Sequence, residues 1–314
     1  MLKEKSISTV LTQLICGLLL LCCYFPIFGS SFCIHHLQYN NNHHYYNHHD
    51  STGSTMQKRS TQQFATSNEN SMTTTTTSSS SSTKDVLGIL FDIDGTLADS
   101  WKLGYDATNE VLKQNNIPVI TEHVYHEHTR YCTPDRLARH AGLEPNDPNF
   151  DTIGQRLGDE FDNLYVGMVN QNTAPFYHGI SDLLQGFPDT IKIGALTNAC
   201  VEYAHAVLQS NNNESNSLYD QFETIHGADS VPKPKPAPDG LFQCCSEIGL
   251  SPNQCVYIGD GPGDAEAAKA AGMICIGVLW GSYPESKIRA APFDHICSSV
   301  DELKQLLPSK NMES

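Results

Sequence analysis

Short apolar runs recur along the later part of the chain, each followed by a longer stretch in which apolar positions return every three or four residues. That rhythm predicts an α/β fold, a Rossmann-like parallel sheet core whose buried strands alternate with helices packed on its faces. Strands are expected at VLGILF (86–91), IKIGAL (191–196), FETIHG (222–227), CVYIG (255–259) and ICIGVL (274–279). Helices are expected from Ala199 to Ser210, Pro238 to Ile248, Asp264 to Ala271 and Val300 to Leu307, with Gly249 and Gly272 placed to end two of them.

The interval between the first two strands is too long for one crossover, and its pattern is helical. It predicts an inserted helical cap domain over residues 103–176, with the core formed by 85–102 and 177–314. Ser100 can cap a helix reaching Asn116, Thr121 a second, and Thr133 with Pro134 a third ending at Gly142; a longer helix covers Phe150 to Asn170. Two chain crossings join this insert to the sheet, an arrangement that permits hinge closure.

The first 84 residues follow no such rhythm. Lys3 and Lys5 precede the apolar stretch LTQLICGLLLLCCYFPIF, and Gly29, Ser30 and Ser31 offer a cleavage site, so residues 1–31 read as a signal peptide. Residues 32–84 are low-complexity, rich in Ser, Thr, Asn and His, with only Asp50 and Glu69 as acids, the composition of a transit peptide. Signal peptide, Phe32 and a transit-like stretch are similar to the bipartite leader of secondary plastids in algae. A plastid destination is therefore expected, with a secreted or endomembrane protein as the alternative. With the leader removed, no stable membrane span is expected.

Composition narrows the body further. The 314 residues are 39% apolar, enough for a core, and the part after Lys84 carries 14 Lys and Arg against 32 Asp and Glu. So acidic a body argues against nucleic-acid binding. Its seven cysteines, an odd number without metal-site spacing, suit buried free thiols in a reducing compartment.

Chemistry-bearing residues gather at the predicted strand ends, where ligands collect in open parallel sheets. The first, FDIDGTLADS, delivers Asp92 and Asp94 at i and i+2, so both carboxylates point to one side, and Gly95 with Thr96 allows a tight turn. Two such carboxylates repel unless a cation or a proton lies between them. The second strand ends in Thr197 and Asn198; KPAPDG offers Lys235; and YIGDGPGD supplies Asp260 and Asp264.

These four motifs, in this order, resemble the haloacid dehalogenase superfamily. The resemblance implies that Asp92 attacks phosphorus while Asp94 protonates the leaving alcohol and later takes a proton from water. It implies Mg2+ held by Asp92, the backbone carbonyl of Asp94 and Asp260, with Asp264 bound directly or acting through another ligand. Thr197, Asn198, Lys235 and backbone amides near Gly95 would bind the phosphoryl oxygens. An acid at Asp94 points to phosphate esters rather than halides, and Ile93 with no apolar run long enough to span a membrane excludes the superfamily's pumps. Gly261 departs from the Ser common after Gly-Asp, and Lys233 competes with Lys235, whose spacing into the following helix is the usual one.

A helical cap after the first motif resembles the phosphoglycolate phosphatase and β-phosphoglucomutase group, which acts on small phosphorylated metabolites. Arg130, Arg136 and Arg139 are candidates to bind a small anion, while His123, His126 and His128 read as an exposed helix face. A phosphatase, with 2-phosphoglycolate favoured, is the first reading; a phosphomutase and a non-catalytic binding protein are the alternatives, and homo-oligomerisation stays open. A chain beginning near Thr83 is expected to fold and retain activity, checked by circular dichroism and phosphate release; loss of folding would contradict the boundary at residue 84.

Overall fold

The computed structural model describes residues 86–212 and 217–310. The leader readings, signal peptide 1–31 and transit-like segment 32–84, lie outside the described residues. Six parallel strands form one sheet: β1 (Gly88–Phe91), β2 (Lys192–Leu196), β3 (Phe222–His226), β4 (Cys255–Gly259), β5 (Ile274–Val278) and β6 (His295–Cys297), in the order β3-β2-β1-β4-β5-β6. Ten α-helices are described: α1 (Trp101–Gln114), α2 (Glu122–His128), α3 (Thr133–His140), α4 (Phe150–Met168), α5 (Ile180–Gln185), α6 (Val201–Ser210), α7 (Asp239–Glu247), α8 (Pro262–Ala271), α9 (Glu285–Ala290) and α10 (Val300–Leu306).

The sheet is buried on both faces, as parallel sheets are. Side chains alternate along each strand, so Ile89, Phe91, Ile193, Val256, Ile258 and Ile276 pack on one face against Leu183 of α5, Tyr203 and Val207 of α6 and Leu303 of α10. Leu90, Leu196, Tyr257 and Cys275 point the other way, onto Leu241 of α7 and Ala265 and Ala268 of α8. The five strands expected from the sequence are all present. β6 was not foreseen, because three residues at a sheet edge are too few to show a period; α5 and α9, six residues each, escaped for the same reason. The cysteines of the body are free thiols, all buried except half-buried Cys132.

The four helices α1 to α4 lie between β1 and β2, as the inserted segment required. Their entry and exit strands pair: Asp99 donates to the Pro175 carbonyl at 2.8 Å and Tyr177 to the Leu97 carbonyl at 2.9 Å. Asn211, at the end of α6, clips the exit by donating to Ala174 O and accepting from Phe176 N, both at 2.9 Å. Within the insert, α3 and α4 approach closely because α4 presents glycines to Pro134; a Cβ on Gly154 would stand 2.6 Å from the Pro134 carbonyl oxygen. Leu137 and Leu157 are fully buried at this contact.

Two capping expectations resolve differently. Thr121 accepts from Val124 N at 3.4 Å, as expected. Ser100 makes no cap bond; its hydroxyl is turned toward Asp94. Thr133 is the first residue of α3 rather than its cap, which is Cys132.

Gly154→Val is expected to overpack the α3–α4 contact and destabilise the protein by about 1–3 kcal/mol, read from urea denaturation.

Candidate active site

β1 occupies the position where the strand order reverses, with β2 on one side and β4 on the other, the location at which open parallel sheets bind ligands. The register brings the motif residues to one level: Phe91 pairs with Ala195 of β2 and with Ile258 of β4. The next residues, Asp92, Leu196–Thr197 and Gly259–Asp260, therefore emerge side by side.

Lys235 is 6% exposed and its ammonium sits among four acceptors. It donates to Asp92 Oδ1 at 2.6 Å, Asp264 Oδ1 at 2.7 Å, the Tyr257 hydroxyl at 2.8 Å and the Leu196 carbonyl at 3.0 Å. Burial alone would lower its pKa, but the Asp264 and Asp92 carboxylates more than offset it and hold it above the usual lysine range. Lys233 is exposed, so of the two lysines of KPKPAP it is Lys235 that reaches the carboxylates. Burial, with the nearby Asp264 and Asp94 carboxylates, pushes Asp92 up to about 7 against the pull of Lys235. Asp260 is also raised, by burial and then by Asp92 and Asp264.

One carboxylate oxygen from each of Asp92, Asp260 and Asp264 lies within 4.8 Å of the others, and all three residues are buried. Three buried carboxylates facing one ammonium leave negative charge uncompensated, and an all-oxygen donor set suits a hard divalent cation. The three are not equivalent. Asp264 is engaged on both oxygens, Oδ1 by Lys235 and Tyr257 and Oδ2 by the Gly261 amide at 2.9 Å. Of the two routes open to Asp264, its geometry favours the indirect one, through Lys235, over direct cation binding. Asp92 Oδ2 receives only a 3.3 Å contact from Thr96, and Asp260 is held on Oδ2 by the Ser282 amide at 2.7 Å. Those two could hold a cation directly.

The Asp94 side chain stands apart from this cluster. Its Oδ2 accepts from Thr197 at 3.0 Å, and three hydroxyls surround Oδ1: Ser100 at 2.5 Å, Tyr203 at 2.6 Å and Tyr165 at 3.2 Å. Thr197 also accepts from the Ala199 amide at 3.0 Å, which fixes its hydroxyl at the strand end.

Two expected phosphate ligands are otherwise employed. Asn198 donates to the Lys235 carbonyl at 2.9 Å and accepts from the Lys235 amide at 3.0 Å, so its amide group clamps the lysine's backbone. The Gly95 amide donates to Ala98 O at 2.9 Å, closing the turn after β1. Gly95 matters instead for space: its φ is +78° and a Cβ there would collide with Asp260 Oδ2.

A cleft runs from these residues to the inserted helices and is lined by Trp101, Tyr125, Arg130, Arg136, Tyr165 and Tyr283, among others. Of the three candidate arginines, Arg136 is buried in the cleft wall, over the rings of Phe161 at 4.6 Å and Tyr125 at 5.6 Å. Arg130 is exposed at its rim, and Arg139 packs on the ring of Tyr131, a cleft residue, without lining the cleft itself. The histidines depart from an exposed face. His123 is exposed and pairs with Glu127, whereas His126 packs on Trp101 and His128 Nδ1 lies 3.3 Å from His140 Nδ1.

A model of the haloacid dehalogenase-like hydrolases matches residues 89–278, the span that holds Asp92, Asp94, Thr197, Lys235, Asp260 and Asp264. The chain belongs to the haloacid dehalogenase-like hydrolase family. Among curated relatives of this hydrolase, the phosphoglycolate phosphatase of Escherichia coli K12 is 28% identical over 256 residues, covering 74% of this chain and 97% of that protein. That of Yersinia pestis is 28% identical over 231 residues, covering 72% and 96%. Among solved structures, CbbY from Rhodobacter sphaeroides in complex with phosphate superposes with a TM-score of 0.58 at 24% identity, covering 69% of this chain and 96% of that one. A hydrolase from Pseudomonas syringae gives 0.56 at 22% identity, covering 70% and 98%.

Several residues of the hydrolase's site were not placed there from the sequence: Ser100, expected only as a helix cap, and Tyr165, Tyr203, Tyr257, Trp280, Gly281 and Ser282. The last three follow β5 in LWGSYP, a Gly-containing turn at a strand end, which is the same signal that marks the other motifs. Trp280 donates to Thr96 O at 3.1 Å, fixing this turn on the one after β1. Gly281 leaves room for Asp260, whose carboxylate a Cβ would strike. Gly281→Ala is expected to displace that carboxylate and weaken divalent-cation binding at least about tenfold, read by titration calorimetry, and to lower the melting temperature, because the added Cβ also meets the Gly95 carbonyl oxygen.

Proposed function

We propose that this hydrolase is a magnesium-dependent phosphatase acting on a small phosphate monoester, 2-phosphoglycolate in preference to others, through an aspartyl-phosphate intermediate. One carboxylate oxygen of Asp92 attacks phosphorus, the other remaining available to the cation, and the bond from phosphorus to the ester oxygen breaks. Asp94 gives that oxygen its proton. Asp94 then takes a proton from water, which attacks phosphorus and releases Asp92. Thr197 and Lys235 hold the phosphoryl oxygens in this scheme; to do so Thr197 gives up its bond to Asp94 and Lys235 gives up one of its four acceptors. Asp92, Asp260 and the backbone carbonyl of Asp94 would hold Mg2+, which supplies charge neutralisation for the transferring group when bound.

Arg136 carries the choice of substrate. A guanidinium buried in the cleft wall, with no carboxylate within 4 Å among the described residues, is a binding group for a second anion on the substrate. Asp162 is the nearby acid that feels its charge, yet lies beyond ion-pair distance and is pushed up to about 6 by burial. A phosphate ester that also carries a carboxylate, as 2-phosphoglycolate does, satisfies Lys235 and Arg136 together. The relatives named as phosphoglycolate phosphatases support the same choice. The leader composition supports a plastid destination, where this ester arises in carbon fixation, and no described helix is long and apolar enough to cross a membrane.

Phosphate release from a panel of small esters, with magnesium or with a chelator, tests the reading. Chelation and Asp92→Asn are each expected to abolish turnover. Arg136→Leu is expected to lower kcat/KM for 2-phosphoglycolate by about 10- to 100-fold, the worth of a charge-assisted hydrogen bond, and to spare ethyl phosphate. An equal loss on both esters would remove the carboxylate from the account; phosphoryl transfer to a sugar rather than to water would replace the phosphatase by a mutase.

A further inference from the structure

The two oxygens of Asp94 have different surroundings. Oδ2 meets Thr197, a group at the phosphoryl end of the cleft, while Oδ1 is ringed by Ser100, Tyr165 and Tyr203. These three come from separate parts of the chain: Ser100 from the entry to the inserted helices, Tyr165 from α4 of the insert, and Tyr203 from α6 of the sheet domain. The rings of Tyr165 and Tyr203 stack with centroids 4.0 Å apart and planes 13° from parallel, so neither hydroxyl is free to swing away alone. Both rings are nearly inaccessible, at 5% and 0% exposure. Burial and then the Asp94 charge raise both phenols well above their ordinary range, which keeps them as O–H donors throughout the neutral range.

We propose that Tyr203 and Tyr165 are positioning residues that anchor Asp94 Oδ1 and reserve Oδ2 for proton transfer to and from the ester oxygen. The inference rests on the reading of Asp94 as general acid and base. A carboxyl group free to rotate would present either oxygen at variable distance from the leaving group, and proton transfer is sensitive to such misplacement. Because Tyr165 belongs to the insert and Tyr203 to the sheet domain, the anchor is complete only when α4 is seated on α6. Seating the insert over a substrate and aiming the acid are then one event.

The test is the rate of leaving-group release in the first turnover, for Tyr203→Phe, Tyr165→Phe and Asp94→Asn, with two esters. An alkyl ester, 2-phosphoglycolate, needs its departing oxygen protonated; p-nitrophenyl phosphate, whose phenolate leaves unaided, does not. Each Tyr→Phe change keeps the stacked ring and removes only the hydroxyl, and a thermal melt checks the fold. Both are expected to slow the alkyl ester about tenfold and the aryl ester less than about twofold, with KM unchanged, a part of the 10²- to 10⁴-fold that general acids supply. Equal effects on the two esters, or none on either, while Asp94→Asn still discriminates between them, would overturn the anchor and leave the role of Asp94 standing. Failure of Asp94→Asn to discriminate would overturn that role and the anchor with it.

Discussion

Lys235 lies between Asp92 and Asp264 at 2.6 and 2.7 Å with about one-twentieth of its side chain exposed, and at that depth each charge depends on the others. Removing one partner of such a group leaves an uncompensated buried charge, which costs several kcal/mol. The neighbouring structure is arranged around this ammonium. Asn198 grips its backbone from the end of β2, Tyr257 on β4 and the Leu196 carbonyl share its third proton, and the Gly261 amide at the head of α8 turns Asp264 toward it. The result is an Asp92 carboxylate with one oxygen held by Lys235 and the other only lightly engaged, the arrangement the proposed nucleophile needs.

A second constraint follows from charge. The ammonium balances only part of what Asp92, Asp260 and Asp264 bring, and the space around Asp260 is cleared on two sides by Gly95 and Gly281. Both features suit a small hard cation close to Asp92. Asp94 is kept out of that cluster by hydroxyls from both lobes of the molecule, so two carboxylates only two residues apart enter different environments, which suits the different roles proposed for them.

Most of this frame was legible in the sequence because strand ends announce themselves: an apolar run followed at once by Asp92, Thr197 or Asp260 has few structural explanations. The parallel sheet, the helical insert and the choice of Lys235 over Lys233 all follow from such patterns. What remained hidden depends on contacts between distant segments. Tyr165 and Tyr203 look like ordinary apolar-face aromatics in their helices, and nothing in the spacing says that both reach Asp94. Asn198 and Gly95 sit within recognisable motifs, yet local hydrogen bonding decides that one clamps a backbone and the other closes a turn. Ser100 reads as a helix cap by residue type, but a buried carboxylate nearby is a stronger acceptor for its hydroxyl than a fraying amide is a donor. The arginines became distinguishable only when burial separated Arg136 from its two neighbours.

The central claim is that Asp92 carries the phosphoryl group. Acid quenching of the protein during turnover of 2-phosphoglycolate with magnesium, followed by digestion and mass spectrometry, tests it directly. The account predicts a phosphorylated peptide bearing Asp92 that is absent from Asp92→Asn; a phosphoryl group on another residue, or turnover undiminished in that variant, would contradict it.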